Sequence, residues 1–256
     1  MTRSLPWLAG RGIRRCKIDG CARLQLDRAE RGNRIDISLA QELCSFFEEA
    51  EFDDEIRLIV ITASGSAFCR GADGPEPPSV PLPDCWRALR RQTRPVLAAI
   101  QGDVFDEGME LALACDLRIG GTSAQFRMAQ VAEGRLPRFG GSQLLPRIIG
   151  RMPALDLLLT GRILGADEAL ELGLLTRLVA DEDVEDELEK LIELLLKQGP
   201  IALRLAKEAI WKGLDLTLDQ GIRLEQDLYV LSQTTVDRAE GIEAFRARRP
   251  PRFTGR

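Results

Sequence analysis

Short apolar runs alternate with amphipathic stretches up to about residue 140, and helical spacing dominates from there onward. RRCKIDGCARLQLDR (14–28) reads as two short strands around Asp19-Gly20, a dipeptide suited to the tight turn of a hairpin. In SLAQELCSFFEEAEFD, Leu39, Leu43, Phe46 and Phe47 recur at helical spacing, with Ser38 as the expected cap. IRLIVITAS (56–64) and VLAAIQG (96–102) are continuous apolar runs, the pattern of strands buried on both faces of a parallel sheet. Between them lie a proline-rich stretch, GPEPPSVPLP (74–83), and a helix around Trp86 and Leu89. GMELALAC reads as a small-residue helix and LRIGG (117–121) as a further strand. This alternation predicts βαβ units and a largely parallel sheet.

Beyond that point Gly-Ala and Gly-Pro breaks separate helical segments at 140–149, 153–160, 166–172, 183–198, 200–212 and 217–232. TRLVA (176–180) is the one expected strand among them. The division predicted is an α/β core over 1–190 and a helical C-terminal region over 191–256.

Composition narrows the possible functions. A chain of 256 residues, 45% hydrophobic, is long enough to bury a full core. A net charge of −5 argues against a general nucleic-acid binder. No run approaches the roughly 18 apolar residues of a membrane span. The basic opening MTRSLPWLAGRGIRRCK lacks the Ser-rich amphipathic pattern of a transit peptide, so a cytoplasmic location is expected. The six cysteines form no C-x-x-C pair and are expected to be reduced.

The sequence contains no histidine. That excludes a Ser-His-Asp triad, a Cys-His pair and an imidazole zinc site. Proton transfer then falls to carboxylates, Lys, Tyr or Cys. Tyr229, the only tyrosine, sits in a C-terminal helical pattern, so the acids lead.

The acids concentrate in GDVFDEGMELALACD (102–116), where Asp103, Asp106, Glu107 and Glu110 stand at i, i+3, i+4 and i+7. They read as a catalytic carboxylate with neighbours, as hard oxygen ligands for Mg²⁺ or Ca²⁺, or as a solvated helix start. The metal reading requires a helix beginning near Asp103, yet Gly102-Asp103 follows a strand directly, and no metal is expected. ASGSAFCRGAD (63–73) is a second junction where a buried strand gives way to small residues. Taken alone it reads as an ordinary strand–helix turn; two such junctions suggest two backbone N–H donors converging on one oxygen, with Glu110, one turn inside its helix, able to reach the same place.

AFCRGAD, RPVLAAIQGDVFDEGMELALACDLRI, LPRFGGSQLLPRIIG and DRAEGIEAFRARRPPRF resemble the crotonase (enoyl-CoA hydratase/isomerase) superfamily, from about residue 13 to the C-terminus. The resemblance implies an α/β fold, a crotonase-like spiral of ββα units. The helical region over 191–256 would then serve trimerisation and CoA cover. It further implies homotrimers or homohexamers, acyl-CoA thioester substrates of the kind met in fatty acid metabolism, and an enolate held by two backbone N–H groups. No cofactor is implied, because coenzyme A is part of the substrate, and no nucleic acid or membrane partner.

Carried over by position, Ala72 matches the first oxyanion-hole donor, Glu107 the second, and Glu110 the first of the hydratases' two catalytic glutamates. The second falls on Gln130, since hydratases resemble F-G-Q-P-E where this chain has FRMAQ. A glutamine hydrogen-bonds a water but cannot exchange protons with it, and Asp106 and Glu133 are the nearest substitutes. Asp106-Glu107-Gly108 also replaces a Gly-rich stretch, and the Glu107 side chain must point away if it is not to oppose an enolate. Arg28 and Arg31 match the basic segment near the CoA phosphates, and Asn33 the Asn of an N-A motif. Arg70, Gly71, Asp73 and Gly108 complete the substrate contacts, while Phe245 and Arg248 match positions that reach a neighbouring subunit's CoA. The function implied is an acyl-CoA hydratase/isomerase-type enzyme, a lyase or isomerase; the alternative is a non-catalytic acyl-CoA binder.

Overall fold

The hairpin at the start of the main sheet turns on two adjacent residues in the left-handed region. Asp19 (φ 50°) and Gly20 (φ 84°) join β2 (Ile13–Ile18) to β3 (Cys21–Leu26), as a two-residue hairpin turn requires. A short β1 (Leu8–Ala9) pairs antiparallel with β2. Residues 7–73 and 82–256 are described by the structure, a computed structural model. Most of the proline-rich stretch at 74–83 therefore lies outside the described residues.

Helix α1 (Ile37–Phe52) buries Leu39, Leu43, Phe46 and Phe47, the periodic positions of its sequence. Its cap is Asp36, whose carboxylate accepts from the Leu39 N–H at 2.8 Å, and not Ser38. The helix begins at Ile37, so the cap position falls on a carboxylate that also suits the positive helix end.

From β4 onward one motif repeats. β4 (Leu58–Ala63), β5 (Ala67–Cys69) and α2 (Cys85–Arg90) form the first unit. β6 (Val96–Ile100), β7 (Asp103–Phe105) and α3 (Glu107–Leu113) form the second, and β8 (Leu117–Gly121) and β9 (Gln125–Arg127) precede α4 (Gly141–Ile149) in the third. The first strand of each unit joins a seven-stranded sheet of order β1-β2-β3-β4-β6-β8-β11, parallel from β3 onward. The second joins a four-stranded sheet, β10-β9-β7-β5. This is the spiral of ββα units. α5 (Arg151–Thr160), β10 (Leu164–Gly165), α6 (Ala166–Glu171) and β11 (Arg177–Val179) complete the sheets.

The parallel strands bury both faces, as their unbroken apolar runs demand: Ile59, Ile61, Leu97 and Ile100 are fully buried. Each such side chain contributes about 1.5–3 kcal/mol of transfer free energy. All six cysteines are free thiols.

The chain divides into two compact units, one comprising residues 1–92 and 96–189 and the other 93–95 and 190–256. α7 (Val184–Leu196) runs through the junction. The second unit contains α8 (Pro200–Gly213), α9 (Leu218–Gln233) and α10 (Val236–Arg246). Thr217 and Gln220 form a reciprocal capping box on α9, and Thr235 caps α10. Among the described residues, no helix is long and apolar enough to cross a membrane.

Candidate active site

Strands β5 and β7 are parallel neighbours, with Ala67 opposite Asp103 and Cys69 opposite Val104. Their carboxyl ends therefore deliver two loops to the same edge of the sheet, the position at which parallel sheets bind ligands. The first loop, Arg70-Gly71-Ala72, is fixed by hydrogen bonds from Ile35 N–H to Gly71 O (2.8 Å) and from Asp73 N–H to Ile35 O (2.9 Å). Gly71 has φ +93°, which side-chain-bearing residues rarely adopt.

In the second loop the positive φ falls on Asp106, at φ 50° and ψ −114°, rather than on Glu107. Asp106 is held there at both ends. Its N–H donates to Arg127 O (2.9 Å), and its Oδ1 accepts from the Ala129 N–H (2.7 Å). Burial raises this carboxyl above its ordinary range, and the Ala129 bond opposes the rise. Asp106 is thus a strained brace whose side chain makes no helix cap.

Glu110 is fully buried on α3. Its Oε1 accepts two backbone N–H bonds, from Phe139 at 2.7 Å and Gly141 at 2.9 Å. Its Oε2 has no hydrogen-bond partner among the described residues. Burial pushes its carboxyl up to about 7; the Gly141 and Phe139 N–H groups oppose the rise and the nearby Glu107 charge adds to it. The Phe139 ring stacks on Trp86 with centroids 3.7 Å apart, and Trp86 Nε1 donates to Glu107 O at 3.0 Å. One aromatic pair therefore braces both the start of α3 and the loop that holds Glu110.

The Glu107 N–H, on the first residue of α3, has no intrahelical acceptor and remains a potential donor. Its side chain does not point away. The carboxylate is buried, and Oε2 accepts from the Ala72 N–H at 3.0 Å. Oε1 lies 3.5 Å from Arg135 Nη1 and 3.9 Å from Arg138 Nη2.

Gln130 is buried, and both Oε1 and Nε2 lack a hydrogen-bond partner among the described residues. Two unpaired polar atoms at such depth are costly unless a ligand or water meets them. Glu133 is different. Its half-exposed carboxylate sits 2.6 Å from Arg135 Nη2. The ion pair with Arg135 holds Glu133 at the surface, although the second acid was expected to come from it.

The four acids of the opening stretch therefore part company. Asp103 pairs with Arg70 (2.7 Å), Asp106 with the Ala129 N–H, Glu107 with the Ala72 N–H, and Glu110 with two N–H groups of the 139–141 loop. No group of three or more potential metal ligands converges among the described residues.

A family model described as enoyl-CoA hydratase/isomerase matches residues 17–256. The chain belongs to the enoyl-CoA hydratase/isomerase family. It is 36% identical over 251 residues to the 1,2-epoxyphenylacetyl-CoA isomerase of Escherichia coli (strain K12), covering 93% of this chain and 96% of the relative. It is 34% identical over 246 residues to the (E)-benzylidenesuccinyl-CoA hydratase of Thauera aromatica, covering 91% of this chain and 95% of that one. The solved enoyl-CoA hydratase of Bacillus anthracis superposes with a TM-score of 0.91 at 32% identity, covering 96% of this chain and 100% of that one.

The basic residues of this hydratase/isomerase-family chain are distributed differently from expectation. An open depression of about 420 Å³ is lined by Ala29, Glu30, Arg31, Gly32, Arg34, Arg70 and Asp73. Arg28, expected beside the phosphates, is not among them: it is largely buried in a 2.7 Å ion pair with Asp36. Arg34 joins the depression instead, donating to Ala72 O at 3.0 Å. Asn33, also expected near CoA, is fully buried at φ 54°, donating to Ser64 O and Ala67 O and accepting from the Arg28 N–H. It is a loop brace. Gly108 packs α3 onto β5, because a Cβ there would lie 2.3 Å from Cys69 O. In the second unit, Phe245 on α10 is 86% exposed and Arg248 has φ 51°.

Sequence reasoning missed Arg135 and Arg138. They lie in RLPR, an irregular segment whose composition carries no sign that two guanidinium groups flank a buried carboxylate.

Proposed function

We propose that this chain turns over acyl-CoA thioesters through an enolate, with Glu110 as its acid/base and the Ala72 and Glu107 N–H groups as its oxyanion hole. The observation that carries this reading is the state of Glu110. One oxygen is anchored by two N–H bonds, the other has no partner among the described residues, and burial pushes its carboxyl up to about 7. A carboxyl poised there both takes and returns a proton near neutral pH.

Double-bond migration fits this set best. Glu110 Oε2 removes a Cα proton from a 3-enoyl thioester, and the electron pair moves onto the thioester oxygen, where the two N–H groups hold the charge. The same carboxyl returns the proton at Cγ as the enolate re-forms the carbonyl, leaving a 2-enoyl thioester. Hydration needs a second group to exchange protons with water, and Gln130 binds water without doing so. Arg31, Arg34 and Arg70, set against Glu30 and Asp73, give the open depression a net positive lining suited to CoA phosphates.

Gln130→Glu is expected to raise hydration of a short 2-enoyl-CoA by about 10²-fold or more from a low baseline, the scale of one general acid–base term. Steady-state assays over 2-enoyl-, 3-enoyl- and saturated acyl-CoA thioesters test the reading; turnover of none, with binding retained, favours the second. In that second reading the chain is an acyl-CoA binder without catalysis, favoured by the Glu107 carboxylate on the Ala72 N–H.

Assembly as a homotrimer or homohexamer belongs to the same proposal. Leu214, Leu218, Tyr229 and Phe245 of the second unit are exposed apolar groups that self-association would cover. Light scattering at micromolar protein is expected to return a multiple of three chains, and a monomer would contradict it.

A further inference from the structure

A hole that stabilises an oxyanion attracts any oxyanion within reach, and in this chain one is built in. Glu107 Oε2 lies 3.0 Å from the Ala72 N–H, the group matched to the thioester oxygen. Gly71 leaves room for it, since a Cβ at that position would stand 3.1 Å from Glu107 Oε2. Trp86 fixes the backbone of the same residue through Glu107 O, so any displacement of the carboxylate falls on the side chain. Arg135 and Arg138 already face the carboxylate's other oxygen, 3.5 and 3.9 Å from Oε1, and can hold the whole group if Oε2 leaves the Ala72 N–H.

We infer that the Glu107 carboxylate is a resident occupant of the oxyanion hole, which a thioester carbonyl must displace towards Arg135 and Arg138 before chemistry. This rests on the proposed acyl-CoA reading and adds to it a residue that sets affinity for the reacting carbonyl. The physical basis is an unequal competition. A carboxylate oxygen makes a charge-assisted bond to N–H, roughly twice as strong as that of a neutral carbonyl. The ground-state thioester therefore competes poorly with Glu107, and only the enolate matches its charge. The occupant weakens carbonyl-bearing ligands selectively. It leaves contacts to the CoA portion untouched, because Ala72 N–H is not part of them.

The test is calorimetry on the full-length protein with two CoA ligands that cannot turn over by thioester cleavage. One is a ketone in which a methylene replaces the thioester sulfur; the other is an S-alkyl-CoA thioether with no carbonyl. Glu107→Ala is expected to tighten the ketone by about tenfold or more, the scale of one hydrogen bond to a charged group, and to leave the thioether unchanged. Glu107→Gln keeps the side-chain shape should the alanine variant fold poorly. It is expected to tighten the ketone by a smaller factor, because its amide oxygen is a weaker acceptor. Wild-type binding of both ligands, with ketone affinity unchanged or weakened in both variants, overturns the inference and leaves the acyl-CoA reading standing. Failure of wild type and variants to bind either ligand while folded overturns both. Equal tightening of ketone and thioether also overturns it, since that would mark a general change in the site.

Discussion

Glu110→Gln is expected to lower kcat on the best acyl-CoA substrate by about 10²–10⁴-fold, with acyl-CoA affinity nearly unchanged. The amide keeps the shape that accepts the Phe139 and Gly141 N–H bonds but cannot carry a proton between carbon atoms. The same variant is expected to be more stable than the wild type at neutral and higher pH. Glu110 is a carboxyl whose folded value, about 7, lies above its ordinary value of 4.5. Below about pH 4.5 it is protonated in both states and has no effect on stability. As pH rises from about 4.5 to about 7, the unfolded chain releases the proton while the folded chain keeps it, so stability falls, and above that window the loss is complete. The full penalty is on the order of 3 kcal/mol. Because the amide is a weaker acceptor, the net gain for Glu110→Gln is about 1–2 kcal/mol, or a few degrees in Tm. Thermal denaturation of both proteins at about pH 5 and pH 8 checks the sign. A Tm difference that does not grow with pH would mean that Glu110 is not held as a costly buried acid.

Gly108→Ala is expected to remove about 2–4 kcal/mol of stability and most of the activity that survives folding. The added methyl carbon would sit 2.3 Å from Cys69 O and 2.9 Å from Cys69 C, both backbone atoms at the end of β5 that cannot rotate aside. Relief requires α3 to move off β5. That shift separates the Glu107 N–H from the Ala72 N–H, so the proposed oxyanion hole widens as the helix is displaced. Denaturant melts and kinetics on the residual folded fraction report the two effects separately. Wild-type stability would show that α3 does not rest on β5 as described. Gly134 serves as the contrast, since nothing lies within 4 Å of a Cβ there, although its φ of +72° still disfavours other residues.

Legibility in the sequence followed physical scale. The hairpin at Asp19-Gly20 and the runs that became β4 and β6 were readable because turn chemistry and continuous apolar character act over neighbouring residues. The second strand of each unit was not. β5, β7 and β9 span three residues each, too few to show a period, and only their pairing with one another defines them. Helix α10 also escaped: in DRAEGIEAF the residues it buries are Asp237 and Ala244, which give no apolar stripe.

At the site, the position of Glu110 was readable from its small-residue helix and the family motif. The fate of its neighbours was not. The i, i+3, i+4, i+7 spacing places four acids on one face only if a helix begins at Asp103. Because Asp103–Phe105 form β7, α3 begins at Glu107, and the acids turn to four separate partners. That Glu107 lies over the Ala72 N–H depends on a contact across 35 residues, which no local pattern encodes.

Proton exchange at the α-carbon tests the enolate claim most directly. A short 3-enoyl-CoA incubated with the protein in deuterium oxide and followed by proton NMR is expected to lose its α-proton signal and to shift its double bond into conjugation. Glu110→Gln should slow both changes by about 10²-fold or more. A protein that binds this ligand yet neither moves its double bond nor exchanges an α-proton above the buffer rate, or one in which Glu110→Gln does so as fast as wild type, would contradict Glu110 as the group that makes and quenches the enolate.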